Sequence, residues 1–197
     1  LDFPPRLSPG GFVNTTFLVL NKSVQAELKL TAEQATRVTK TAEVIRAEYR
    51  DRIFQGRRDP VKSREARKAE GEALFKALVP LLTSRQLRRL SEIELQVSGA
   101  NAFSSPEVEK VLKLTERQKQ DVKAIAADLL KERRELFANV GRDPEKRAEL
   151  LDKSRALNGK AKDKILACLA EQQRQTWKDM TGAPFTIQYD PPPRKKD

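Results

Sequence analysis

The stretch LKLTAEQ, residues 28–34, decides how this chain is read, because LKLTERQ returns at 112–118 and LLTSRQ at 81–86. In each copy a Thr stands three residues before a Gln. That spacing is the capping box, in which Thr accepts from the Gln backbone N–H and the Gln side chain reaches back to the Thr N–H. One copy alone would be ordinary punctuation before a helix. With 23 Leu, 11 Thr and 11 Gln among 197 residues, chance placement gives roughly 0.07 matches. Three copies therefore point to an internal repeat.

Sliding the chain against itself finds one. At an offset of 84, Thr31 falls on Thr115, Gln34 on Gln118, Val38 on Val122, Ala42 on Ala126, and Arg58-Asp59-Pro60 on Arg142-Asp143-Pro144. At an offset of 87, LTSRQLRRL at 82–90 meets LAEQQRQTW at 169–177, with Ala170 in place of the Thr. The motif residues are thus Leu30, Thr31 and Gln34; Leu82, Thr83 and Gln86; Leu114, Thr115 and Gln118; and Leu169 with Gln173. The expected organisation is an N-terminal arm over 1–19, modules over 20–99 and 100–182, and a Pro-rich basic tail over 183–197.

Each module reads as helices. From Thr31 the apolar positions Val38, Ala42, Ile45, Tyr49 and Ile53 step by three or four, one stripe on a long helix. GRRDP and GRDP then stop one helix and start the next: Gly suits the left-handed C′ position, Asp caps, and Pro sits at N1. Long helices are expected near 31–56, 60–79, 115–139 and 144–168. Ala66, Ala69, Ala73 and Ala77 form a small-residue stripe on the second, and Leu151, Ala161, Ile165 and Leu169 take that side of the fourth. Pro80 is expected to kink or end the second helix. Short helices follow, with Leu87, Leu90 and Ile93, then Trp177 and Met180, as their apolar faces, and with Gly99 and Gly182 as stops. Leu82 and Leu87 occupy hydrophobic-staple positions, while Leu30 and Leu114 are expected to pack on tertiary neighbours. Phe12, Phe17, Phe185 and Tyr189 are positioned to pin the irregular arms onto the helices. The fold class is all-α: two tandem helical-hairpin modules in a pseudo-two-fold cradle or elongated bundle.

Composition limits function. The net charge is +11 and the pI near 9.9, which suits an acidic or amphipathic partner but also serves plain solubility. No apolar run approaches the ~18 residues of a membrane span. There is no His, so the commonest metal ligand and general base are missing. Cys168 is alone, so no intrachain disulfide forms, and its place in the apolar run ILACLA reads as a buried, inert thiol. No catalytic group, cofactor or transition-metal site is expected. The chain begins at Leu1, which reads as a processed or trimmed product whose leader, if any, has been removed.

Helical modules opened and closed by Leu-Thr-x-x-Gln resemble the Spy/CpxP-like family of bacterial envelope proteins, over roughly residues 20–182. Leu30-Thr31-Gln34, Leu82-Thr83-Gln86 and Leu114-Thr115-Gln118 match outright; Leu169-Gln173 keeps the ends. The resemblance implies an all-α protein secreted to the periplasm and linked to envelope stress, with ATP-independent holding of unfolded clients on a thin cradle of two antiparallel subunits. This chain departs in carrying two modules plus arms, so that a monomeric pseudo-dimer can stand in for the homodimer, and in lacking the histidine a metal role would favour. On that reading, unfolded or amphipathic clients meet a basic-apolar surface made of Arg46, Tyr49, Arg50, Phe54 and Arg57, with Arg133, Arg134, Leu136 and Phe137. The same charges also suit an ordinary solvated helix face. The alternative function is a non-catalytic structural or interaction module of the envelope. Nucleic-acid binding is disfavoured, because the basic residues are dispersed among 28 acidic ones.

Overall fold

The computed structural model describes residues 15–55, 59–138 and 144–189. Among them the chain is helical with no strand. The elements are α1 (Thr15–Leu20), α2 (Lys22–Glu27), α3 (Ala32–Gln55), α4 (Pro60–Leu78), α5 (Ser84–Ser98), a 3-10 segment (Gly99–Ser104), α6 (Pro106–Leu112), α7 (Glu116–Phe137), α8 (Pro144–Ala167) and α9 (Glu171–Thr181). The four long helices lie within two residues of the spans that the caps and stripes predict.

The stop signals act as expected where they are described. Asp59 accepts from the N–H groups of Val61 and Lys62 at 3.0 and 3.2 Å, and Pro60 opens α4. The glycine and aspartate of the second connection, Gly141 and Asp143, lie outside the described residues, as do Gly56, Arg57, Arg58 and Phe12. α4 ends at Leu78, two residues before Pro80. Gly99 and Gly182 close α5 and α9 with φ of 55° and 62°. Residues 15–19, assigned by sequence to an irregular arm, fall in α1, and Asn21 caps α2 by accepting from the N–H groups of Ser23 and Val24.

α3 packs on α4 and α7 on α8, each pair joined by a short connection and therefore antiparallel. Two apolar clusters result. The first joins Leu18, Val19 and Val24 to Val38, Ala42 and Ile45 of α3, to Leu74, Phe75 and Leu78 of α4, and to Leu87, Leu90 and Ile93 of α5. The second joins Leu95, Ala100, Ala102 and Phe103 to Val108, Leu112, Val122, Leu129, Ala161, Ile165, Trp177 and Met180. α5 and α9 pack together between them. Leu114 is buried in the second cluster and Leu30 packs against the first, while Leu82 and Leu87 are both buried. The alanine stripe of α4 is half-buried; the fully buried face is Glu70, Gly71, Leu74, Phe75 and Leu78, with the Thr16 hydroxyl donating to the Glu70 carboxylate at 3.0 Å.

Two sequence expectations fail here. Cys168 is exposed, not buried. α8 ends at Ala167, so the apolar run leaves the helical register before reaching the thiol, and Leu169 alone turns inward. Leu151 is 50% exposed; it sits well out along α8, where Ser154, Leu157 and Ala161 carry the inward face instead.

Lys29 and Lys113 adopt left-handed backbone, with φ of 52° and 50°. Each closes a Schellman turn: Leu30 N–H donates to Gln25 O and Leu114 N–H to Glu109 O, both at 3.1 Å. A lysine there carries a steric cost that glycine avoids. Lys29→Gly and Lys113→Gly should each raise stability by about 0.5–1 kcal/mol in urea unfolding, the left-handed strain of about 1–2 kcal/mol being partly offset by the greater entropy of an unfolded glycine.

Candidate functional site

The four motifs meet in pairs. Thr31 N–H donates to Gln34 Oε1 at 3.2 Å and Gln34 N–H to Thr31 Oγ1 at 3.1 Å, the complete capping box of α3. Thr83 with Gln86 and Thr115 with Gln118 repeat it at the starts of α5 and α7. Ala170 has no acceptor, so at α9 only the glutamine half survives, with Ala170 N–H donating to Gln173 Oε1 at 2.8 Å.

The side-chain amides then do something the capping box does not require. Gln34 Nε2 donates to Gln86 Oε1 and Gln86 Nε2 donates to Gln34 Oε1, both at 3.1 Å, an amide ring between two helix N-termini. Gln34 Nε2 also donates to Leu81 O at 3.1 Å, and Gln86 Nε2 to Lys29 O at 3.5 Å. Gln118 and Gln173 form the same ring, at 2.7 and 3.0 Å, with Gln118 Nε2 on Cys168 O and Gln173 Nε2 on Leu112 O. Each amide thus spends both donor hydrogens and uses its oxygen for a cap and a partner. A glutamine retained where its threonine is lost, as in Gln173, was the sequence signal for a role beyond capping.

A second polar cluster ties α2 and the residues after α9 to α5. Arg89 donates to Glu27 Oε1 from Nε at 2.8 Å and to Glu92 Oε2 from Nη1 at 2.8 Å, while Nη2 donates to Ala183 O at 2.9 Å. Its side chain is only 15% exposed. Burial by itself lowers the Arg89 pKa, but the bonds to Glu92 and Glu27 outweigh it and hold the guanidinium above its usual value.

The proposed client residues divide. Arg46 and Arg50 are exposed on α3 and Phe54 is 61% exposed, at i, i+4 and i+8 on one stripe. Arg134 is exposed on α7, and Leu130, one turn earlier on that stripe, is exposed too. Tyr49 packs on the first cluster, with the Arg52 guanidinium 5.4 Å from its ring centroid. Arg133, expected to face solvent, is half-buried because it continues the buried Leu129 stripe by one turn, and Leu136 and Phe137 are half-buried as well. Arg57 lies outside the described residues. Val44 and Leu130, both exposed, were missed by sequence reasoning.

No described helix is long and apolar enough to cross a membrane. Compared with protein-family models, curated proteins and solved structures, the chain matches none.

The amide ring separates two accounts of the motif. Glutamate at N3 caps a helix as well as glutamine does and favours the N-terminal dipole. It has no hydrogen for Leu81 O or Gln86 Oε1. Gln34→Glu should therefore destabilise the protein by about 1–2 kcal/mol in urea unfolding, the cost of leaving such partners unmatched. Thr83→Ala should cost about 1 kcal/mol. A neutral or stabilising Gln34→Glu would reduce the motif to capping.

Proposed function

We propose that the chain is a tandemly duplicated, non-enzymatic holding protein of the Spy/CpxP-like kind, which captures unfolded or amphipathic polypeptides without ATP in the bacterial envelope. The observation that carries this reading is the far half of the first hairpin. Beyond Ile45 the described residues of α3 have no fully buried side chain, and they present Arg46, Arg50 and Phe54 along one exposed stripe. α7 presents Leu130 and Arg134 in the same manner. Apolar side chains set among cations suit a collapsed, partly charged client: the charges speed encounter, and the apolar contacts hold. The recurring amide rings support the duplication, since the Gln–Gln bonds recur at positions related by offsets of 84 (Gln34, Gln118) and 87 (Gln86, Gln173). Histidine is absent from the sequence, so no imidazole is available for acid–base work.

The purified protein should suppress aggregation of an unfolded client without nucleotide. Capture should slow as salt rises, because the encounter is electrostatic, while retention should be insensitive to salt. Arg46→Glu with Arg134→Glu should slow capture at unchanged helical content, and Phe54→Ser should shorten retention. Unchanged aggregation of several clients at equimolar protein would overturn the reading.

A further inference from the structure

Residues 183–189, which follow α9, run in extended form back onto the first cluster. Their side chains alternate: Phe185 packs on the cluster, Ile187 is 7% exposed within it, and Thr186 and Gln188 face out. Tyr189 stacks on Phe17 at 5.9 Å between centroids, and the Arg155 guanidinium lies 3.7 Å from the Tyr189 centroid.

The backbone of this strap is held by side chains of the first half of the chain. Gln96 Nε2 donates to Ala183 O at 2.8 Å, while Gln96 Oε1 accepts from Phe185 N–H at 2.8 Å. Arg89 Nη2 donates to the same Ala183 O. At the other end Gln188 N–H donates to Ser23 Oγ at 3.1 Å, and Gln188 O accepts from Asn21 Nδ2 at 2.8 Å. Together these make a groove that grips an extended backbone and takes an apolar side chain at every second position.

The strap is joined to α9 by a single glycine. Gly182 has φ of 62°, and a Cβ there would lie 2.3 Å from Glu92 Oε2. Pro184 stiffens the chain just beyond it. A stiff segment, hinged at one residue and held by contacts to residues far away in sequence, is the arrangement in which two copies can exchange the segment without losing a contact.

We propose that residues 183–189 are an exchangeable strap, and that the groove formed by Asn21, Ser23, Arg89, Gln96 and the first apolar cluster takes this segment from a second copy of the chain, pairing two molecules reciprocally through Gly182. Closed and exchanged forms make the same strap contacts, so concentration decides between them. The crossover lies near the effective concentration of a short tether, about 1 mM. The surface is separate from the exposed stripes of α3 and α7, so loss of client holding would leave this pairing untouched.

The test uses the full chain labelled at its single, exposed cysteine, Cys168. Donor-labelled and acceptor-labelled batches are mixed and concentrated from about 10 µM to about 1 mM. Energy transfer should appear only at the upper end, and excess synthetic peptide APFTIQY, the sequence of residues 183–189, should abolish it. Ile187→Asp alone and Gln96→Ala with Ser23→Ala alone should each show less transfer than wild type. Mixed together they should recover transfer above either variant alone, through the one intact strap-and-groove match that each mixed pair keeps. Absence of transfer in wild type at the upper concentration, or transfer indifferent to the peptide, would overturn the proposal. The peptide competition on wild-type protein decides the matter even if Ile187→Asp does not fold.

Discussion

A glutamine amide at N3 that serves its own cap while pairing with a second glutamine is the constraint on which this architecture rests. Two helix N-termini brought side by side place two positive dipole ends together. In each ring the two Oε1 atoms lie between those ends and accept from both helices, so the pair offsets the repulsion it creates. The donors and acceptors of each ring match because both partners are amides. A carboxylate would lack the donors, and a lysine would lack the acceptor.

The rings fix the base of each hairpin, and the location of the core follows. Gln34 and Gln86 lock the start of α3 to the start of α5, beside the turn at Leu81 that ends the α4 return. Around that base lie Val38, Ala42 and Ile45 from α3 with Leu74, Phe75 and Leu78 from α4. α3 continues for ten residues past Ile45 with only partial burial, which is why Phe54 stands exposed near its end. Long hairpins anchored at one end leave apolar surface at the other. The proposed holding activity uses the surface that this anchoring leaves uncovered.

The sequence made the helices legible because their boundaries are written in local chemistry: Thr-x-x-Gln boxes, Asp59-Pro60, Pro80, and the glycines at 99 and 182. Whatever depended on which ends meet was not legible. Spacing identified Gln34 and Gln86 as caps, but only the fold brings their amides together. Periodicity also misled where helices finish. Cys168 was read as part of a continuous apolar face, yet it lies one residue past α8, and Leu151 falls off the inward face of α8, which Leu150 and Ser154 carry at that height instead. Arg133 shows the opposite case, a charged residue carried half inward because it continues the Leu129 stripe. The arm at 183–189 was legible in part: Phe185 and Tyr189 were expected to pin it, and they pack on the first cluster and on Phe17, whereas its hydrogen bonds were not legible because they join its backbone to side chains far away in sequence.

The two glycine turns explain why the two clusters belong to one molecule. After Gly99 the chain sends Ala100, Ala102 and Phe103 into the second cluster, where Phe103 meets Trp177 at 4.2 Å between centroids. After Gly182 it sends Phe185 and Ile187 into the first. The exits are held alike: Asn158 donates to Ser98 O and accepts from Ala100 N–H, as Gln96 donates to Thr181 O and accepts from Phe185 N–H. Neither cluster is filled by contiguous sequence, because each takes apolar side chains from the chain leaving the helix that closes the other half. Burial gained at one end therefore depends on order at the other, through α5 and α9 packed between them. A segment that completes a core from so far away in sequence is held by that core, by the side chains of Asn21, Ser23, Arg89 and Gln96, and by one glycine hinge, and it is this segment that we propose changes partners.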